Sequence, residues 1–482
     1  MKIAFIASGQ EILGIEYLSA ILKEKGHEVK LFFDPKTFSG GIFLKIKFLE
    51  KRFNLQDKIV DKVIEWKPDI VGFSCMSTNY PWCLETAKLL KSKIDIPIIF
   101  GGIHPTILFE KVIKQNCVDY VAIGESELSF VEFLDNFKNG KLEKNVDGIY
   151  SGNNVPKYTI VEDLDKLPFP DHNLFYEKVD GFRRVAYSIA ASRGCPYACS
   201  YCCNDILKKF NNFKRRVRSV DNVIEELKLA KDKFNISRVY FYDEVFPYQI
   251  EWLKDFCQRY GEEIKLPFII TSHFNFATEE RLKMLGDAGC IQMVFGLQSA
   301  SGRVREDICN RFFNSNSQVE EVIKLCKKYK IQSLVEIILG LPSETEEEYE
   351  EGIKFFREIK ADIIYTYFLT YFPKTSIIQK GIEYGNLSES DIETIESGSN
   401  SFLHEGSFTK NKKKLLEYQI LIDLSVLLPK VVHRVISKKC FRKLLPKRYF
   451  IHSLLIFIAD ITSKHSVFWN KIQPALSRKH VP

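Results

Sequence analysis

Short apolar runs alternate with stretches whose apolar residues recur every three to four positions, from the first residue to about position 140. Residues 2–7, 28–33, 70–74, 96–101 and 120–123 read as strands, and helices are expected to start near Gly14, Asn54, Tyr80, Ile107 and Ser126. Strands that alternate with helices predict a doubly wound parallel sheet covered on both faces, a Rossmann-like domain over 1–140. Turn residues then cluster at Gly148, Gly152, Pro156, Pro168 and Pro170, which predicts a connector over 141–182. From 183 to 385 the strand and helix pattern repeats six times, with strands near 185–192, 238–242, 267–271, 291–296, 333–339 and 363–369. Helices are expected over 219–233 and 345–359. Six such units predict a partial (βα)6 TIM-like barrel, open at one side, with its active site at the carboxyl ends of the strands. Residues 386–482 read as a helical C-terminal region with apolar faces over 415–432 and 451–461.

Composition leaves this α/β reading intact. At 482 residues, 45% hydrophobic and 27% charged, the chain is long enough for about three globular domains. The formal charge of +7 is uneven, because residues 401–482 hold 16 Lys and Arg against 4 Asp and Glu. Such a tail either closes the barrel with soluble helices or lies against anionic lipid as a peripheral membrane contact. The opening run of apolar residues is too short for a signal peptide, and no stretch reaches the roughly 18 apolar residues of a membrane span. Apart from one loop the twelve cysteines are scattered, which suits a reducing, cytoplasmic setting rather than a disulfide framework.

That loop follows the first barrel strand. Ser192-Arg193-Gly194-Cys195-Pro196-Tyr197-Ala198-Cys199-Ser200-Tyr201-Cys202-Cys203 spaces three thiols as Cys-x3-Cys-x2-Cys. Three thiolates on a four-iron cluster leave one iron open to a ligand, whereas a zinc knuckle or three separate buried thiols are the simpler alternatives. Cys203 lies outside the spacing and reads as a small buried neighbour. The segment resembles the signature of the radical S-adenosylmethionine (SAM) enzymes. The resemblance implies that Cys195, Cys199 and Cys202 hold a 4Fe-4S cluster and that Tyr201 lies near adenine. It implies SAM contacts at Asp243 and Glu244 after the second strand and at Gln298 and Ser299 after the fourth, where Gln298 takes the place of an acid. In Leu339-Gly340-Leu341-Pro342-Ser343-Glu344-Thr345 the apolar part is expected on adenine, with Glu344 and Thr345 capping the next helix.

The first domain adds a second resemblance. Gly14-Ile15-Glu16-Tyr17-Leu18, Lys25-Gly26-His27-Glu28-Val29, Pro68-Asp69-Ile70-Val71-Gly72-Phe73-Ser74, Gly101-Gly102-Ile103-His104-Pro105-Thr106 and Gly124-Glu125-Ser126-Glu127 together are similar to the cobalamin-binding domain that precedes the barrel in one branch of the family. It implies cobalamin contacts at Ser74, Thr78, Gly101, Gly102, His104, Gly124 and Glu125. Glu11 stands where many such domains place the cobalt-ligating histidine, so the corrin is expected to have no protein ligand below it. Of the histidines, His104 is expected to pack or hydrogen-bond in its loop, and His27 to lie at a solvated helix end.

The implied function is methylation of an unactivated carbon by way of methylcobalamin and a 5′-deoxyadenosyl radical. A radical SAM oxidative cyclase or ring-rearranging enzyme shares every one of these motifs, and a noncatalytic cobalamin and iron-sulfur carrier or sensor is the alternative from another class. The implied partners are a small-molecule or lipid substrate and an external electron donor of flavodoxin or ferredoxin type, without nucleic acid.

Overall fold

The computed structural model describes residues 1–36, 55–140, 145–178, 186–210, 213–313, 315–398, 408 and 410–442. Its first sheet runs β1 (Lys2–Ser8), β2 (Glu28–Asp34), β3 (Ile70–Ser74), β4 (Ile98–Gly101), β5 (Tyr120–Ala122) and β6 (Ile149–Tyr150) in the order β2-β1-β3-β4-β5-β6. The first five are parallel, and β6 adds to β5 antiparallel. That last strand comes from the connector, which is more structured than its prolines and glycines suggest. Leu174, Phe175 and Tyr176 pack into the core on one face of the sheet, while helices 56–66 and 80–93 cover the other. In this strand order the crevice for a ligand lies where β1 and β3 diverge, at their carboxyl ends.

Two local features depart from the expectation. The helix expected near Ile107 begins earlier, as Ile103–Ile107, because Gly102 turns the chain at φ 94°. A side chain there would bring its Cβ 2.7 Å from the Cys75 carbonyl oxygen. His27 is buried rather than solvated, with its Nδ1 3.4 Å from the Met1 amino group.

The second sheet is fully parallel. After β7 (Tyr187–Ile189), a small antiparallel pair of β8 (Ser192–Arg193) and β9 (Arg216–Val217) brackets the cysteine loop. β10 (Val239–Phe241), β11 (Phe268–Ser272), β12 (Cys290–Gln298), β13 (Gln332–Leu339) and β14 (Ile363–Phe368) complete the order β14-β13-β12-β11-β10-β7. β7 and β14 are its two edges and do not pair, so the barrel is open. Helices form where caps and apolar spacing agree. Ser219 Oγ accepts from Asn222 N at 3.2 Å to start Val220–Phe234, and Thr345 with Glu348 makes a capping box for Glu346–Ile359.

Val239, Phe241, Ile270, Phe295, Val335, Ile337 and Ile364 face these helices in one large core. The alternate residues therefore face the lumen. In the C-terminal region, helix Lys412–Leu427 lies on the outside of β14, where Thr366 Oγ1 donates to Asp423 at 3.0 Å. The expected apolar face at 451–461 falls outside the described residues. Among the described residues no helix is long and apolar enough to cross a membrane.

The two sheets are packed together. Ile206, on the helix Cys203–Leu207 directly after the cysteine loop, is buried in the core of the first domain, and Phe210 stacks on Tyr158 with centroids 4.7 Å apart. Burying an isoleucine this way is worth about 1.5–3 kcal/mol. The cysteine loop is thereby held against the carboxyl ends of the first sheet.

Candidate functional site

Cys195, Cys199 and Cys202 lie on the loop above β7. Cys199 is buried and the other two are half-buried. Burial raises the Cys195 thiol to about 11, and its two companions contribute, so the three sulfurs sense one another. They are nevertheless not among the groups whose ligand atoms lie mutually within 4.8 Å, the spacing a single ion needs. Three soft thiolate donors on one loop suit an iron-sulfur cluster. Around them, Arg311 Nη1 donates to Cys199 Sγ at 3.4 Å and Asn204 Nδ2 to Cys202 Sγ at 3.6 Å. A hydrogen bond from Cys203 pulls the Cys202 thiol down to about 7. Tyr201 packs with Leu341 and Tyr371 beside the loop, and Arg311 and Cys199 lie close to its hydroxyl.

The residues expected around SAM divide into two groups. Asp243 does not face the cavity. It is buried, accepts from Ala191 N at 3.0 Å and from Ser192 Oγ, and fixes the turn from β7 into the cysteine loop. Glu244 is solvent-accessible beside the cysteines, and burial by the surrounding protein raises its carboxyl above the ordinary range. At the end of β12, Gln298 adopts φ 73° at a break in register with β13, and Ser299 Oγ donates to Glu344 at 2.6 Å. Glu344 thus holds Ser299 rather than capping the following helix, which Thr345 and Glu348 do.

The loops expected around cobalamin gather at the carboxyl end of the first sheet. Ser74 is half-buried with its carbonyl accepting from Asn79, Thr78 is half-buried next to it, and the Gly101 carbonyl accepts from Cys75 N at 2.7 Å. His104 stacks on Tyr80 at 4.0 Å with Nδ1 3.0 Å from Ser77 Oγ, and burial lowers it to about 4. Gly124 lets the connector pass, since a Cβ there would lie 2.3 Å from the Thr159 carbonyl. Glu125 forms a fork with Arg216. Beside β1, a Cβ added at Gly9 or Gly14 meets nothing within 4 Å, which leaves room for a flat ligand.

Glu11 is not directed at a cobalt position. Its Oε2 accepts from Ser188 Oγ at 2.6 Å and its Oε1 lies 3.2 Å from His172 Nδ1. Glu16 Oε2 is 3.0 Å from the same nitrogen. These three are the one group among the described residues close enough to share an ion, yet a protonated His172 between two carboxylates accounts for them. Both carboxylates raise His172 to about 10 against the opposing effect of burial.

The sequence reading missed Arg311, His172, Ser188 and the tyrosines of the barrel lumen. Only the last left a trace, in the alternation Ile363-Ile364-Tyr365-Thr366-Tyr367-Phe368.

Comparison with known families decides the assignment. The B12 binding domain family matches residues 6–134 and the radical SAM superfamily matches residues 189–356. The chain carries a B12-binding domain and a radical SAM domain. The cofactors of this pair are a 4Fe-4S cluster, SAM and cobalamin. An uncharacterized methyltransferase of Pyrococcus horikoshii is 29% identical over 384 residues, covering 77% of this chain and 78% of its own. The anaerobic magnesium-protoporphyrin IX monomethyl ester cyclase of Rubrivivax gelatinosus is 25% identical over 412 residues, covering 79% and 70%. In fold, the radical SAM methyltransferase TsrM of Kitasatospora setae superposes with a TM-score of 0.63 at 17% identity, over 78% of this chain and 73% of that one. The cobalamin-dependent enzyme OxsB gives 0.68 at 16% identity, over 96% and 74%.

Proposed function

We propose that this protein is a cobalamin-dependent radical SAM enzyme that methylates an unactivated carbon of a small molecule. The observation that carries the reading is the hydrogen bond from Ser188, on the barrel strand below the cysteine loop, to Glu11, on the loop at the mouth of the B12-binding sheet. It joins the barrel strand that leads into the cysteine loop to the mouth of the B12-binding sheet, which supports two cofactor sites that face each other. Cys195, Cys199 and Cys202 would hold the cluster. Tyr201, Glu244, Gln298 and Ser299 would surround SAM, with Asp243 holding the loop. Ser74, Thr78, Gly101, Gly102, His104 and Gly124 would line the corrin site, with Glu125 fixing its edge. When bound, these groups supply a 5′-deoxyadenosyl radical for hydrogen abstraction and a methyl group for transfer.

The chain's own residues position and shield. Tyr201, Leu341 and Tyr371 wall the cysteine loop with apolar surface. Glu11 is held by Ser188 and His172 and so would not be free to reach a bound corrin. Reducing electrons would come from a flavodoxin or ferredoxin type donor, and twelve free thiols suit the cytoplasm. The relative named as a cyclase supports oxidative cyclisation as a second reading.

Anaerobic incubation of the reconstituted protein with methyl-deuterated SAM and cell extract tests this by mass spectrometry. A product carrying labelled methyl is expected. Release of 5′-deoxyadenosine with a product two hydrogens lighter and unlabelled would favour the cyclase. No 5′-deoxyadenosine from protein loaded with both cofactors would overturn the enzyme reading.

A further inference from the structure

The last two described helices turn apolar side chains outward. Among the described residues ten large hydrophobic side chains are exposed, and four of them, Val431, Val432, Val435 and Phe441, fall between positions 431 and 441. Single exposed apolar residues are ordinary on a protein surface, but a group of them on one short stretch marks an interaction site.

The helix Lys430–Ile436 is anchored through its opposite side. His433 is buried, its Nε2 donates to the Leu421 carbonyl at 2.7 Å, and Ile436 packs against the core outside the barrel. Just beyond, on the helix Lys439–Arg442, Arg442 holds both oxygens of Glu350, with Nη2 2.5 Å from Oε2. These contacts decide which side faces outward. Val431, 72% exposed, and Val435 sit one turn apart on that side.

Cations accompany the valines. Arg434 and Lys438 are exposed and have no carboxylate partner among the described residues, while Lys430 pairs with Glu358. In sequence, residues 424–459 hold eight Lys and Arg and no Asp or Glu. A second copy of this face, or the chain's own residues 443–459, would bring like charge to it. A nucleic acid would satisfy the cations and leave the valines in water. A stable protein interface takes about 800 Å² from each partner, more than four side chains of this size offer. An anionic bilayer asks for less, because headgroup phosphates meet the cations while short apolar side chains enter the boundary with the acyl chains.

We propose that the helices Lys430–Ile436 and Lys439–Arg442 dock this protein on the surface of an anionic phospholipid bilayer. Val431, Val435 and Phe441 enter the interface, and Arg434 and Lys438 lie on headgroup phosphates. No helix among the described residues is long and apolar enough to cross a membrane, so this contact is peripheral and sensitive to salt. It does not depend on the reaction or the substrate.

Sedimentation of the anaerobically reconstituted full chain with vesicles tests the assignment without turnover. Vesicles of equal parts phosphatidylglycerol and phosphatidylcholine should take the protein down at low salt and release it at high salt, whereas phosphatidylcholine alone should take down little. Arg434→Gln combined with Lys438→Gln should lower the partition coefficient by about tenfold. Val431→Ser combined with Val435→Ser keeps every charge and should lower it severalfold, with iron content and cobalamin absorbance as the check on folding. Absent binding, equal binding to the two vesicle types, or binding undiminished by the valine substitutions overturns the proposal. A dimer in sedimentation velocity that the valine substitutions dissociate, without vesicle binding, overturns it in favour of a second copy of the chain.

Discussion

Glu125 and Arg216 are joined by two parallel hydrogen bonds, Nη1 to Oε2 at 2.8 Å and Nη2 to Oε1 at 2.7 Å, across the boundary between the B12-binding sheet and the cysteine loop. The side chains are only 17% and 7% exposed, and Arg193 adds a third contact at 3.3 Å. Burial works to raise the Glu125 carboxyl, but the two guanidiniums outweigh it and hold the group below the ordinary range. A depressed carboxyl stabilises the fold above its unfolded value and loses that contribution as pH falls through the folded one. Glu125→Gln should therefore cost about 3 kcal/mol at pH 7, because it strands Arg216, and the difference from wild type should shrink below about pH 4. Urea unfolding at the two pH values reads this directly. Equal stability of variant and wild type at pH 7 would contradict it.

The triad of Glu11, Glu16 and His172 has the opposite pH dependence. Burial raises the Glu16 carboxyl above its ordinary range, and against the opposing effect of burial Glu16 and Glu11 raise His172. The folded chain keeps protons that the unfolded chain releases, from about pH 4.5 upward, until the folded groups titrate. Stability should therefore fall as pH rises across that window. His172→Gln removes the cation between two fully buried or nearly buried carboxylates. It should destabilise wild type by roughly 3 kcal/mol at pH 7 and flatten the slope between pH 7 and 10. Chemical denaturation at pH 6, 8 and 10 measures both.

Strand positions and the cysteine loop were legible because each rests on a local pattern. Apolar runs at 70–74 and 333–339 become β3 and β13 almost residue for residue, and Thr345 caps as its sequence suggests. What escaped depends on approach in space. Glu11 and Ser188 are 177 residues apart, and Arg311 meets Cys199 across 112. Asp243 and Glu244 are neighbours of like chemistry, and only the turn of the chain sends one into the β7 loop and the other towards the cavity. His27 looked solvated because Lys25 and Gly26 precede it, but the N-terminus folds over it.

Cys202 and Cys203 are adjacent thiols with different expected roles. The Cys203 thiol donates to Cys202 and is itself held well above its ordinary range by that bond and by burial. Alanine at Cys195, Cys199 or Cys202 should abolish the iron content and charge-transfer absorbance of the anaerobically reconstituted protein. Cys203→Ala should leave both near wild type. Iron retained after all three substitutions, or lost in Cys203→Ala alone, would reassign the ligand set.

Arg311 is 8% exposed and puts a fixed positive charge and an N–H donor on the Cys199 sulfur. A reduced cluster carries one more negative charge than an oxidised one, so a donor and a cation at a ligand sulfur stabilise the reduced state and raise the potential. Arg311→Met removes both while keeping an unbranched side chain. Without SAM present, the reduced fraction at a given applied potential should fall about tenfold, a shift of about 59 mV to more negative potential for a one-electron couple. Arg311→Lys keeps the charge and should recover part of the shift. A redox titration followed by electron paramagnetic resonance measures the midpoint on protein of equal iron content. An unchanged midpoint in Arg311→Met would show that the contact with Cys199 only packs the loop.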